Sequence, residues 1–270
     1  ITSGGDGIQA ETNAVIKGGN IRIRSSGGSP DVIAANTFAR GSFNPRQQIV
    51  TTAEKSAKGI KVKVDVIIDG GEIKIDSLDD GLHSDDIITI NSGNIWISTG
   101  DDGIHADNSF TANGGNVEIV KSYEGIEAKT ITFNAGIFRV VSVDDGINGT
   151  SQNNETANPW QMRQPMGGQQ GADLFINGGH VVVNADGDGI DVNGNVEMTG
   201  GCLIIYGPLT SFDAAVDYDG TFKMAGGFLL AAGSMGMAQA PGADSTQKSL
   251  CIMMTDNVSS GTLVHIASES

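Results

Sequence analysis

The sequence predicts an all-β protein, specifically a right-handed parallel β-helix built from coils of 22 residues. Three observations predict this fold: a long-period repeat, short segments in which polar and apolar residues alternate, and glycine at fixed places in each repeat. A repeat of this length is typical of a solenoid, in which each coil stacks on the next. The right hand is expected because parallel crossover connections are overwhelmingly right-handed. We therefore expect a single domain over residues 1–270.

The repeat unit begins with an acidic residue, followed by glycine and then by isoleucine or leucine. The steps between the first four copies are 22, 22 and 21 residues. The acidic residues of the copies are Asp80, Asp102, Glu124, Asp145 and Asp188. A second turn repeats in the same phase, with glycine at Gly71, Gly93, Gly115, Gly136, Gly179 and Gly201. Because stacking turns a repeated residue type into a column, the repeat predicts columns of carboxylates.

Short alternating segments lie between the turns. Residues 72–75, 94–97 and 116–119 each alternate polar and apolar side chains, which is the period of a β-strand. In register, the apolar positions form two inward stacks. The first stack is Ile73, Ile95, Val117 and Phe138, and the second is Ile75, Ile97, Ile119 and Val140.

Two insertions and a divergent tail interrupt the repeat. The insertions span about residues 27–56 and 151–171. Long loops on a rigid scaffold commonly line a functional face, although these loops are equally consistent with covering an edge or being mobile. The tail, about residues 234–270, contains two strand-like segments at 249–254 and 262–266. We expect them to form a short C-terminal β segment that caps the solenoid.

The composition restricts the classes of partner. The formal net charge is −16, from 16 basic and 32 acidic residues, so the surface repels nucleic acids and anionic membranes. No stretch is apolar enough for membrane insertion. A surface of this kind suits cations, neutral ligands, or anionic ligands held through a cation. We expect a monomer, and whether Cys202 and Cys251 form a disulfide is left open.

The predicted carboxylate columns point to calcium. Neighbouring coils lie roughly 4.8 Å apart, and two carboxylates at that spacing repel each other by about 3 kcal/mol at an effective dielectric constant near 20. Protonation, a basic side chain or a metal ion must offset this repulsion. Ca²⁺ takes oxygen ligands at roughly 2.3–2.6 Å and tolerates variable geometry, so it fits between two coils. The candidate metal ligands are Asp79, Asp80, Asp101, Asp102, Asp107, Glu124, Glu127, Asp144 and Asp145.

A simpler interpretation exists for single acids, because Asp before Gly is common in turns. The acid pairs, such as Asp79 with Asp80, favour a metal, since one turn needs only one such residue. His83 and His105 lie in the same column. We expect them to be half-exposed strand residues bonded to Asp85 and Asp107, with metal ligation or proton transfer as the alternative.

Several longer phrases resemble a secreted bacterial family of carbohydrate-binding β-helix proteins. They are SAKGIK at 56–61, DDGIHA at 101–106, KSYEGIEA at 121–128, AVDYDG at 215–220 and GMAQAP at 236–241. The resemblance extends from about residue 4 to 266 and implies a β-helix similar to that of pectate lyases, with bound calcium. It also implies binding of plant cell-wall polysaccharide, namely cellulose and polygalacturonate, without established catalysis. We therefore expect a secreted or cell-surface protein.

The charge of the chain fits that implication only if a cation bridges protein and ligand, because polygalacturonate is itself a polyanion. Neutral cellulose needs an aromatic side chain for stacking, and Trp96 is the main candidate, since it points away from the core. Packing beneath an insertion is the alternative for Trp96. Tyr123, Lys121 and Arg139 complete the candidate carbohydrate-binding residues, and Trp160 is a further aromatic candidate.

A calcium-dependent polysaccharide lyase is the alternative function. Such enzymes need a Lys or Arg base near the metal, and the candidates are Lys121, Lys129 and Arg139. A hydrolase using Asp101 and Asp102 is a further alternative. Acids repeated so uniformly give no sign of the unlike environments that separate a general acid from a general base. The residues therefore favour binding over catalysis, and a purely structural surface protein is a third possibility.

Overall fold

The computed structural model describes residues 1–33, 56–150, 171–209, 212–254, 256, 258–259 and 261–265. Most of both predicted insertions, including Trp160, lies outside the described residues. The described chain is all β, and none of its segments is a helix that would cross a membrane.

The described residues form twenty-one strands. In chain order they are β1 (Thr2–Ser3), β2 (Ile8–Ala10), β3 (Ala14–Ile16), β4 (Asn20–Ser25), β5 (Ile60–Val62), β6 (Asp65–Ile68), β7 (Glu72–Ser77), β8 (Leu82–Ser84), β9 (Ile87–Ile90), β10 (Asn94–Thr99), β11 (Ile104–Lys121), β12 (Ile126–Ser142), β13 (Ile147–Gly149), β14 (Asp173–Ile176), β15 (His180–Ala185), β16 (Ile190–Val192), β17 (Val196–Met198), β18 (Cys202–Tyr206), β19 (Asp217–Tyr218), β20 (Phe222–Met224) and β21 (Phe228–Ala232).

The strands stack in parallel into a solenoid of about eight coils with three faces. Face A contains β1, β4, β7, β10, β15, β18 and β21, face B contains β2, β5, β8, β13, β16 and β19, and face C contains β3, β6, β9, β14, β17 and β20. β11 and β12 are long because each continues round the corners and contributes to all three faces. The predicted parallel solenoid with 22-residue coils is confirmed.

The core is the inside of the coil. Both predicted inward stacks are confirmed, since their members pair in register and are at most 2% exposed. Phe110, Phe133 and Phe138 meet edge to face at the middle of the solenoid, with ring centroids 5.1–6.0 Å apart. Alternation of buried and outward positions leaves every second strand residue available at the surface.

A column of asparagines shows that the spacing between coils allows side-chain amides to form hydrogen bonds with one another. Asn113 Nδ2 donates to Asn91 Oδ1, Asn134 Nδ2 to Asn113 Oδ1, and Asn177 Nδ2 to Asn134 Oδ1, each at 2.9 Å. Asn91 Nδ2 donates in turn to Asp69 at 2.8 Å. Because a carboxamide both donates and accepts, identical residues on successive coils bind one another.

The tail covers the last coil, but it does so as irregular chain and not as the two strands that the sequence predicts. Residues 249–254 and 262–265 are not in strands. Irregular chain instead donates backbone hydrogen bonds from Gln239 to Val216 and from Gly242 to Phe222, at 3.3 and 2.7 Å, which satisfies edge carbonyls. Leu250 is 71% exposed, since no further coil offers its apolar side chain a core. Cys202 and Cys251 are both free thiols.

The glycine of each acid-Gly turn is required by close contact between coils. A Cβ at Gly125 would lie 2.2 Å from the carbonyl oxygen of Gly146 and 2.2 Å from Val140 Cγ1, and Gly81 and Gly103 face the same kind of contact. The glycine of the second turn serves a different need, because Gly93 has a φ of 114°.

Replacing Gly125 with alanine should therefore destabilise the fold by about 3 kcal/mol or more, because the backbone of the next coil must move. Gly4→Ala is the matched control, since nothing lies within 4 Å of its Cβ position, and it should change stability by less than about 0.5 kcal/mol. Denaturant unfolding followed by circular dichroism measures both. Equal effects of the two substitutions would contradict the proposed close contact.

Candidate functional site

The predicted acidic residues converge on face B and the corner beside it. A typical strand of face B has three residues, and the side chain of the middle residue points outward. In register these outward residues form one column: Lys61, His83, His105, Glu127, Asn148, Asp191 and Asp217. The acids of the acid-Gly turns run alongside this column. The side chains group into two parts, which differ in how their charge is compensated.

The first part of the site contains its own cations. Lys58 Nζ lies 2.9 Å from Asp79 Oδ1 and 2.5 Å from Asp80 Oδ2. Burial lowers the pKa of Lys58, but the charges of Asp80 and Asp79 outweigh burial and raise it. Burial raises the pKa of Asp80, but the hydrogen bond from His83 and the charge of Lys58 bring it below its usual range.

The two histidines bridge the acids on either side of them. His83 contacts Asp80 Oδ2 through Nδ1 at 2.8 Å and Asp85 Oδ1 through Nε2 at 3.0 Å. His105 repeats this pattern on the next coil, and the two rings stack with centroids 4.9 Å apart. The predicted bonds of the histidines to Asp85 and Asp107 are confirmed. The prediction that the two residues are half-exposed is wrong, since their side chains are only 13% and 11% exposed.

Carboxylate repulsion remains even in this first part. Burial raises the pKa of Asp101 to about 6, helped by the charges of Asp80 and Asp79. Burial also raises the pKa of Asp102, and the charges of Asp80 and Asp101 add to it, although His105 donates to it. Burial and the charge of Asp102 raise the pKa of Glu124.

The second part of the site holds acids without a basic partner. Ligand oxygens of Asp145, Asp188 and Asp191 all lie within 4.8 Å of one another. Burial, then the charge of Asp144, raises the pKa of Asp145 to about 9. Burial raises the pKa of Asp188 to about 7 and that of Asp191 to about 6, with further acids adding to both. Among the described residues, no Lys or Arg forms a salt bridge with these three acids.

Asn148 adds a neutral oxygen next to this second part. Its Nδ2 donates to Glu124 Oε2 at 2.7 Å, while Oδ1 is buried and has no hydrogen-bond partner within the described chain. Asn148 lies between Glu127 and Asp191 in the column. Since Nδ2 faces Glu124, Oδ1 is directed away from that residue. A buried carbonyl oxygen left in this state is stabilised by a donor or a cation.

The metal ligands predicted from the sequence thus lie in separate groups, and the prediction did not include Asp188 and Asp191. Asp79, Asp80 and Asp101 lie together, Asp102 and Glu127 share His105, and Asp145 lies with Asp188 and Asp191. Asp188 and Asp191 were outside the predicted ligand set because the second insertion separates Asp145 from Asp188 by 43 residues. The signal that identifies them is the acid-Gly-Ile motif itself, which places Asp188 directly on the coil after Asp145.

The candidate carbohydrate-binding residues lie on face A or at its corner. Trp96 points outward from β10, and Lys74 Nζ lies 4.0 Å from its ring centroid. Glu118 and Arg139 continue this column on the next two coils. Lys121 donates to the Pro30 carbonyl oxygen, so it holds the start of the first insertion against the face.

Further along face A the outward residues become apolar and aromatic. Tyr206 and Phe228 are each 54% exposed and lie on adjacent coils, with Leu230 beside them. Face A therefore combines a flat surface with exposed rings, whereas face B is acidic. Tyr123 belongs to the corner between the two faces and precedes Glu124.

Comparison with known proteins gives one match. Residues 1–103 match a family model described as "Carbohydrate-binding domain-containing protein". The matched range contains β1 to β10, with Trp96 on β10, and also contains Lys58, Asp79 and Asp80; it spans less than half of the 270 residues. No curated protein and no solved structure matches the chain.

Without divalent cations, stability should fall as the pH rises from about 4 to about 9. Asp145, Asp188 and Asp191 have raised pKa values in the folded state, so the folded protein binds their protons more tightly than the unfolded chain and is favoured at low pH. The Asp145→Asn variant should lose part of this slope and have a higher Tm than the wild type at pH 8 in chelator.

Asp107→Asn provides a control of opposite sign. The hydrogen bond from His105 lowers the pKa of Asp107, so its carboxylate stabilises the fold above its unfolded pKa. This variant should have a lower Tm than the wild type at pH 8. Thermal melts across the pH range in chelator measure both variants. An unchanged slope in Asp145→Asn would contradict the electrostatic interpretation.

Proposed function

We propose that this protein is a secreted, non-catalytic carbohydrate-binding protein of plant cell-wall polysaccharide. Its calcium-loaded carboxylates on face B would bind acidic chains such as polygalacturonate, and face A would bind neutral chains such as cellulose. The observation that carries the proposal is the cluster of Asp145, Asp188 and Asp191, whose repulsion no basic side chain of the described chain offsets. The carbohydrate-binding likeness of residues 1–103 supports the class of ligand.

The geometry of this cluster suits calcium. Two oxygens on opposite sides of one Ca²⁺ lie about 4.6–5.2 Å apart, and neighbouring ligands lie closer. The three carboxylates, with ligand oxygens within 4.8 Å of one another, satisfy this requirement. The unpartnered Oδ1 of Asn148, which is in register with Asp191, would be a fourth oxygen donor, and Asp144, whose charge raises the pKa of Asp145, would be a fifth.

A bound calcium ion would replace the repulsion between the protein and an acidic polysaccharide with attraction. The chain carries a net charge of −16 and repels a polyanion directly. Ca²⁺ takes six to eight oxygen ligands, so protein carboxylates need not fill its coordination shell. Uronate carboxylates would complete that shell, and the half-buried state of Asp188 and Asp191 leaves one side of the cluster open to them.

Face A supplies the contacts that a neutral chain needs. Aromatic rings bury a large apolar area against a sugar ring. Tyr206 and Phe228 are exposed on this face, and Trp96 points outward from it, partly covered by Lys74. The geometry favours binding over catalysis, because one of the candidate bases, Lys121, donates to the Pro30 carbonyl, and Lys58 is held between two carboxylates.

Binding of polygalacturonate should require calcium and Asp188. In a pull-down assay with millimolar calcium, Asp188→Asn should reduce binding at least ten-fold, whereas chelator should abolish wild-type binding. Asp186→Asn is the matched control, because it removes the same charge from an exposed residue outside the cluster. Polygalacturonate binding in chelator at the wild-type level would refute the calcium bridge. Unsaturated product, followed by absorbance in the same samples, would favour the lyase.

Binding of cellulose should depend on face A and not on calcium. Trp96→Ala should weaken it by about ten-fold, the loss of roughly 1.4 kcal/mol that is typical of a buried aromatic contact. Phe212→Ala, which removes a 59% exposed ring outside the strands of face A, should leave binding unchanged. Cellulose binding that is unaffected by Trp96→Ala would assign Trp96 to packing instead.

A further inference from the structure

A second cluster of possible metal ligands contains a histidine and shares no residue with the cluster of Asp145, Asp188 and Asp191. His105 Nδ1 is 2.9 Å from Asp102 Oδ2 and 4.0 Å from Glu127 Oε2, and one ligand atom from each residue lies within 4.8 Å of the others. All three residues are at most 9% exposed. The parallel register holds His105 and Glu127 on adjacent coils, so the backbone fixes their separation.

The donor set and its dimensions suit a small transition metal ion better than calcium. Zn²⁺ binds nitrogen and carboxylate oxygen at about 2.0–2.2 Å, so neighbouring ligands of a tetrahedral site lie about 3.4 Å apart. The distances from His105 Nδ1, 2.9 and 4.0 Å, lie on either side of this value. Imidazole nitrogen favours zinc, copper and nickel, whereas calcium takes oxygen ligands.

The other nitrogen of His105 is positioned as in known metal sites. A metal-binding histidine almost always donates its second ring N–H to a carboxylate or carbonyl, which fixes the ring orientation. His105 Nε2 lies 3.2 Å from Asp107 Oδ1, and this contact directs Nδ1 towards Asp102 and Glu127. The stacked ring of His83, itself held by Asp80 and Asp85, supports His105 from the preceding coil.

We propose that Asp102, His105 and Glu127 form a binding site for a divalent first-row transition metal ion, with Zn²⁺ as the probe. Asp107 is the positioning residue of this site. The proposal reassigns three of the acids that the sequence predicted as calcium ligands, and it adds His105, which lay outside that set. It is independent of the calcium cluster around Asp188 and of polysaccharide binding.

Metal binding at this site must displace protons. A metal ion binds only deprotonated ligand atoms, so affinity should rise with pH, and binding should release protons to the buffer. Calcium, without affinity for imidazole, should compete weakly.

The test is titration of calcium-free protein with ZnCl₂ by calorimetry in two buffers of different ionisation enthalpy. Wild-type protein should bind one Zn²⁺ per chain at this site with proton release. His105→Gln should weaken this binding at least ten-fold, and Asp107→Asn should weaken it about 10–100-fold, as expected for loss of an orienting carboxylate. His180→Gln, the same substitution on face A, and Asp188→Asn should both retain it.

Folding and site identity are checked separately. Thermal melts and cellulose binding show whether His105→Gln is folded, and the visible spectrum of bound Co²⁺ reports a four-coordinate site independently of affinity. Retained cobalt and zinc binding in folded His105→Gln would overturn the proposal. Loss of Zn²⁺ binding in Asp188→Asn, displacement of Zn²⁺ by equimolar calcium, or no binding by the wild type would also overturn it. Failure of calcium-dependent polygalacturonate binding alone would affect only the proposed function.

Discussion

The spacing between coils is the constraint on which the rest of the structure depends. Parallel backbone hydrogen bonds hold successive coils roughly 4.8 Å apart, so every outward residue lies directly over its equivalent on the next coil. The consequence depends on the chemistry of the side chain. Asparagines in such a column donate to one another, as Asn91, Asn113 and Asn134 do, whereas carboxylates only accept and therefore repel. The backbone that stabilises the fold thus concentrates negative charge along one corner.

The molecule compensates this charge in two different ways along one column. Near the N-terminal end, Lys58 and the stacked His83 and His105 lie between the acids and hydrogen-bond to them. Beyond Asn148 no such cation is present within the described chain, and the pKa values of Asp145, Asp188 and Asp191 are raised. One half of the column therefore contains its own basic side chains, whereas the other presents only oxygen atoms. The transition from acids with basic partners to acids without them occurs within a few coils and requires no change in the fold.

Much of this organisation is predictable from the sequence, because residues that are one repeat apart in a solenoid lie next to each other on neighbouring coils. The repeat predicts the coil length, the inward stacks through Ile75 and Ile97, and the contacts of the histidines with Asp85 and Asp107. Features that depend on the ends or interruptions of the repeat are not predictable in this way. Residues 249–254 are apolar enough for a strand but form none in the structure, and Lys58 is recognisable as a counter-ion only once the register is known.

The register across the second insertion has a consequence for how such a molecule changes over time. Ile147 pairs with Ile190 and Thr130 with Asp173, as in any other coil, although the chain between β13 and β14 is much longer than its equivalents. The register of the coils therefore depends on where a connection leaves and rejoins the solenoid, and not on the length of the connection. Connections on this scaffold are free to lengthen, shorten or diverge under selection, while the acidic column of face B keeps its geometry. The length of a connection and the geometry of that column are thus separately heritable traits of one chain.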